Sequence, residues 1–364
     1  MDTGFESWHL YTACKLTLNH FYEENDHRYK TYGTGFITQF PTGDPRLALV
    51  TNRHLVDIPW VEPVREGTTL ESVDLEMWSN DKFRLKMTIN DVHPLFHQDN
   101  SIDVSVLPIG PSFDTTTTTA AIYDAIDKLI PDPNAVGILF KHAMSWDYLL
   151  RCETLWPDLK PGEFVAFPGY PKWFDKLETR PVFRSGMIAS DPQREYRQRE
   201  GLTTNRDGNQ QVLFDAFSTS GNSGSPVFVA QHGIPPIHLQ MTQTQTVKFK
   251  TMPYRQSFLI GINAGHFNDT DSERPNDHAG LSRMHKLSAI MEILRVNTVP
   301  SDAKSTASIL IPVAAIEEHG GFPDNYFDEP SVPESEQSNG AAPSTTNDPI
   351  EELPSGSIDG TEPA

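Results

Sequence analysis

The stretch Ser218-Thr219-Ser220-Gly221-Asn222-Ser223-Gly224-Ser225-Pro226-Val227-Phe228-Val229 decides how this chain is read. It is a tight polar loop of small residues that runs straight into an apolar β-type segment. Gly221 and Gly224 flank Ser223 closely, so the backbone can turn sharply and another group can approach the main chain. Such a turn can aim the N–H groups of Gly221 and Ser223 at one point, which is the geometry of an oxyanion hole. Pro226 then fixes the exit into a strand over Val227-Phe228-Val229. A Gly/Ser turn at a strand start is common, and alone this loop implies no more than that.

Two upstream segments change the reading. Leu47-Ala48-Leu49-Val50-Thr51 is an almost continuous apolar run, expected to be a strand buried on both faces, and it leads directly into Asn52-Arg53-His54. Asn100-Ser101-Ile102-Asp103-Val104-Ser105-Val106-Leu107-Pro108 is a short strand with one acid among β-branched residues. A serine hydroxyl attacks poorly unless a base takes its proton, and an imidazole can do so near neutral pH. A carboxylate on the far ring nitrogen holds the tautomer and stabilises the imidazolium. His54, Asp103 and Ser223 supply these three types in that order, each at a strand end or beside one. Asp57, Asp91 and Asp99 are rival acids. Asp103 is preferred because an apolar strand can hold its carboxylate dry and fixed.

These blocks, Val50-Thr51-Asn52-Arg53-His54, Asn100 to Leu107 and Gly221 to Pro226, resemble the three motif blocks of trypsin-like (chymotrypsin-fold) serine peptidases. The bacterial, HtrA-like branch is the most similar, here without a PDZ domain. The resemblance spans roughly residues 10 to 295, and only the blocks are specific. It implies an all-β fold of two six-stranded antiparallel barrels, about 10–110 and about 160–285, with the triad in the cleft between them. It also implies a short closing helix near 284–296 and Phe258 to Gly265 as the strand lining the substrate cleft. In that family the residue six positions before the nucleophile lies at the base of the primary pocket, here Phe217; Asn263, Ala264 and Gly265 form the far wall. Phe217 brings no carboxylate to neutralise a buried cation, so cleavage after apolar, uncharged residues is expected. Asn222 stands where zymogen-activated relatives carry the acid that receives a newly cut N-terminus, and Ser225 replaces a frequent Gly. The implied function is a serine endopeptidase acting through an acyl-enzyme, with protein or peptide as substrate and no cofactor. The alternative is a catalytically silent peptide-binding or scaffolding module on the same fold.

The rest of the chain fits a globular protein. Strands are expected over Cys14 to Leu18, Tyr29 to Thr38, Phe83 to Ile89, Gly162 to Tyr170, Val182 to Ala189 and Val212 to Phe217. Residues 111–119 and 191–211 read as loops, and Tyr123 to Ile130 as a short helix before Pro131. The net charge of −20 argues against a nucleic-acid binder. Twelve acids and no Lys or Arg follow Lys304, which leaves −8 for the remainder. Residues 301–364, rich in Pro, Ser and acid, are expected to be mostly disordered. Cys14 and Cys152 make neither a metal spacing nor a disulfide framework. His93 and His97 have the spacing of a zinc pair, but Pro94 argues against a helix and no HExxH glutamate is present, so no metal is expected. No apolar run spans a membrane and the N-terminus has no signal-peptide pattern, which suggests a cytoplasmic protein of undetermined oligomeric state.

Overall fold

Leu47–Thr51 is a strand in which all five residues are buried, as the apolar run requires. Each such aliphatic side chain contributes roughly 1.5–3 kcal/mol by leaving water. The structure is a computed structural model that describes residues 4–79, 83–109, 118–124, 126–130, 142–196, 211–233, 254–268 and 278–299. The expectations for 111–117, for most of 191–211 and for the acidic tail lie outside the described residues.

The first half forms one antiparallel sheet. Its strands are β1 (Ala13–Tyr22), β2 (His27–Gln39), β3 (Leu47–Thr51), β4 (Thr68–Trp78), β5 (Arg84–Asn90), β6 (Leu95–Phe96), β7 (Ser105–Ile109), β8 (Thr118–Tyr123) and β9 (Leu129–Ile130). They lie in the order β6-β7-β3-β2-β1-β4-β5-β8-β9. The expected six-stranded N-terminal barrel is thus a nine-stranded sheet, and no ladder among the described residues joins β6 to β9. One face carries the core of Leu16, Leu18, Ile37, Leu49, Val73, Leu75 and their neighbours. Alternation of buried and half-buried residues along β1 and β4 shows why: side chains of one parity meet the core.

The second half closes as expected. β10 (Phe164–Gly169), β11 (Val182–Ile188), β12 (Gln211–Asp215), β13 (Pro226–Val229), β14 (Phe258–Asn268) and β15 (His278–Lys286) form a closed barrel in the order β10-β11-β12-β15-β14-β13. Closure leaves no free strand edge.

Among the described residues five α-helices accompany the strands: α1 (Ser7–Tyr11), α2 (Arg53–Val56), α3 (Ile58–Val61), α4 (Trp146–Leu155) and α5 (Leu287–Val296). α5 is the expected closing helix; it starts at Leu287 and buries Leu287, Ile290, Met291 and Leu294. α4 was not expected from the sequence. Its signal is Ser145, whose hydroxyl accepts a hydrogen bond from Tyr148 N at 3.1 Å as an N-cap. Tyr123 to Ile130 is a hairpin and not the expected helix. Asp124 Oδ1 accepts from both Ile126 N and Lys128 N, and Asp127 takes φ +63°. That side chain offers the backbone an alternative to helical bonds.

Candidate active site

Asn52 follows β3 directly and holds the N-cap position of the short helix α2, which carries His54. The His54 ring lies 2.7 Å from Asp103 through Nδ1 and Oδ2. The other carboxylate oxygen, Oδ1, accepts the backbone N–H of His54 at 2.9 Å. Asp103 therefore fixes both the imidazole and the main chain that bears it. An ionised carboxylate only accepts, so the proton shared in this pairing belongs to Nδ1.

Two further contacts hold Asp103. Its carbonyl accepts from Asn52 Nδ2 at 2.8 Å, and its N–H donates to His285 Nε2 at 3.1 Å. The carboxylate is 2% exposed. Burial alone would push its pKa up, but the neighbouring His54, helped by His285 and Arg283, holds it below the usual carboxylate value. Asp103 is thus kept ionised. The His54 side chain is 25% exposed, so its ring can be reached from solvent.

The rival acids are otherwise engaged. Asp57 pairs with Arg53 at 2.8 Å. Asp99 Oδ1 accepts from Ser101 N and Ser101 Oγ. Asp91 faces His93 on the surface. The two histidines of the zinc-like spacing also part company: His97 Nε2 meets Glu292 at 2.7 Å while its Nδ1 accepts from Asp99 N. Among the described residues no group of three or more His, Cys, Asp or Glu side chains is arranged to hold a metal ion.

The Ser223 loop is tied to β2 and, through it, to β3, the strand that leads into the His54 helix. Thr34 N on β2 donates to Ser223 O at 2.8 Å, and Thr34 O in turn accepts from Thr51 Oγ1 at 2.8 Å, three residues before His54. Thr34 Oγ1 donates to Gly221 O at 2.7 Å and accepts from Tyr170 N at 3.0 Å. Gly221 and Gly224 have φ +95° and +88°, conformations open to glycine. A Cβ on Gly221 would overlap the Tyr170 carbonyl, and one on Gly224 the Thr34 carbonyl. The Asn222 and Ser225 amides are spent inside the turn, on Thr219 O and Asn222 O. The Gly221 and Ser223 amides donate to no backbone carbonyl among the described residues. Gly33 lies between the Leu55 side chain and the Ser223 carbonyl, so the residue after His54 and the serine loop share one neighbour. No hydrogen bond joins the His54 ring to the Ser223 hydroxyl among those between described residues.

No family model and no curated protein matches the chain. One solved structure that is similar is described as the crystal structure of Deg5. The identity is 11%, the match covers 77% of this chain and 86% of that one, and the TM-score is 0.36. A likeness that loose bears on neither mechanism nor substrate.

The remaining candidate residues divide. Asn263 is buried and braces the loop: its N–H donates to Ser225 O, its carbonyl accepts from Gly224 N, and its Nδ2 donates to Ser218 Oγ and Asn222 O. Its backbone is therefore spent on the serine loop. Ala264 is buried beside it, and Gly265 follows at a register shift between β14 and β15. Phe217 is 58% exposed, so its ring offers an apolar surface to solvent, and its carbonyl accepts from Arg184 Nε and Nη2. β12 ends at Asp215, two residues before it. Sequence reasoning missed Thr34, Asn52 and His285; Thr34 and His285 act from segments distant in sequence and leave no local spacing signal. Asn52 lies within a quoted block, and its place one residue after the strand was the only available cue.

Proposed function

We propose that this chain is a serine endopeptidase with His54 as general base, Asp103 as its orienting acid and Ser223 as nucleophile. The observation that carries the reading is the double engagement of Asp103 with His54, through Nδ1 and through the backbone N–H. A carboxylate used in this way sets the tautomer that leaves Nε2 ready to accept a proton. In the reaction, Nε2 takes the Ser223 hydroxyl proton as Oγ attacks the peptide carbonyl. The Gly221 and Ser223 amides receive the developing oxyanion. The imidazolium then returns the proton to the departing amine, and water repeats the sequence on the acyl-enzyme. The His54–Ser223 hydrogen bond belongs to the substrate-bound state; such contacts are often long in the free enzyme. Ala264 and Gly265 flank the acyl portion of the peptide, and the exposed Phe217 ring favours apolar residues before the cut.

The test is turnover of a peptide library read by mass spectrometry. The wild-type chain is expected to cut after apolar, uncharged residues, and Ser223→Ala is expected to abolish cutting while keeping its thermal midpoint. Cleavage that persists in Ser223→Ala refutes the nucleophile, and a dominant Arg or Lys before the cut refutes the pocket.

A further inference from the structure

A cleft of about 380 Å³ opens beside the serine loop, with Ser220 and Gly221 in its wall. Much of its remaining lining is basic and aromatic: Lys15, Lys172 and Lys176 with Tyr170 and Phe174. The lysines are held in place. Lys172 follows β10, and its backbone N–H donates to Ser220 O at 3.1 Å, so it is fastened to the serine loop itself. Phe174 packs edge-on against Tyr170 with ring centroids 5.4 Å apart. Lys176 lies over the Phe174 ring at 3.3 Å, and Lys15 approaches the same ring at 5.6 Å.

The charges around the cleft do not cancel. Lys15 pairs with Glu76 at 2.5 Å. Asp175 turns away: its Oδ1 accepts from Leu177 N and Glu178 N. Among the described residues, Lys172 and Lys176 pair with no carboxylate. Partial burial, followed by the charge of Lys15, lowers the Lys176 pKa from its ordinary value. An excess of positive charge in a chain that carries −20 overall is a local feature that selects an anionic group.

The position of the cleft says which part of a peptide would meet it. Neither Ala264 nor Gly265 lines it. Its wall instead includes Gly33, which lies against the Leu55 side chain and the Ser223 carbonyl, so on the peptidase reading the cleft falls on the leaving-group side of Ser223. We propose that this cleft is a subsite for an aspartate or glutamate side chain among the first residues after the bond cut at Ser223. This rests on the peptidase reading. The lysine ammonium groups receive the carboxylate, and the Tyr170 and Phe174 rings pack on its methylene stem. The preference is for acidic peptides and adds to the apolar preference before the cut.

The experiment maps cleavage sites in a proteome-derived peptide library for the full chain and two double variants. At low salt the wild type is expected to favour Asp or Glu over Asn or Gln by about fivefold within three positions after the cut, in the range that partly exposed ion pairs support. The ratio is expected to fall toward one in K172Q/K176Q, to persist in K172R/K176R, and to shrink in the wild type at roughly 0.5 M salt. Ser223-dependent cutting with no acidic enrichment, or the same enrichment in K172Q/K176Q, overturns the subsite and leaves the peptidase reading standing. Absence of any Ser223-dependent cutting overturns the peptidase reading and this subsite with it.

Discussion

At the scale of single residues, Asp103 is the position on which the site depends. Its carboxylate is buried, ionised and bound to His54 twice. Asp103→Asn keeps the shape but presents an amide where the imidazole needs an acceptor. It is expected to lower kcat on the order of 10⁴-fold, by analogy with the wrong-tautomer effect in triads, with KM little changed. Steady-state kinetics on one good peptide checks this, and near-normal turnover contradicts it. Asp103 was legible in the sequence because Ile102 and Val104 flank it, and a buried acid needs a partner; the strand expected around it begins only at Ser105, so Asp103 lies in the segment just before β7. The contacts that hold it were not. His285 reaches Asp103 N from 182 residues away, and nothing local in either segment announces the pairing.

At the scale of elements, the helix that bears His54 rests on another buried histidine. His20 on β1 meets Leu55 O through Nε2 at 3.1 Å, directly beneath α2. Burial pushes the His20 pKa down from 6.5 to about 4, against the opposing pull of the Leu55 carbonyl. His9 on α1 behaves in the same way, falling from 6.5 to about 4 by burial while the Glu6 carbonyl pulls upward. Both folded values lie below the ordinary one. Between pH 6.5 and about 4 the unfolded chain therefore binds protons that the folded chain refuses. Stability from these groups is present above about pH 6.5 and is lost as pH falls toward 4, by about 1.4 kcal/mol per pH unit for each at most. Denaturant unfolding at a series of pH values should show this slope, with His20→Gln removing its share; a flat profile contradicts it. Alternating residues in β1 and continuous apolar runs such as β3 and β13 made β1, β3 and β10 to β14 readable in advance. The 123–130 hairpin was misread because Tyr123, Ile126 and Leu129 have helical spacing. Ile126 and Leu129 are in fact 68% and 62% exposed, so no core rewards a helix there, and the Asp124 turn prevails.

At the scale of the molecule, one barrel was legible and the other half was not. Strand existence follows from local pattern, but closure depends on which distant strands pair. β3 pairs β7 with 53 residues of loop, helix and sheet between Thr51 and Ser105, a choice set by packing rather than by local sequence. The acidic segment after Lys304 is read from composition alone, since Pro, Ser and carboxylates there bury little. Removing residues 326–364 is therefore expected to leave both the thermal midpoint and turnover of a short peptide unchanged; a drop of several degrees contradicts that reading. The central claim is that the whole chain presents one activated serine. Treating it with a fluorophosphonate and mapping the adduct by mass spectrometry tests this most directly. A single adduct on Ser223 Oγ, lost in His54→Ala, is the predicted result; no adduct, or one on Ser220 or Ser225, would contradict it.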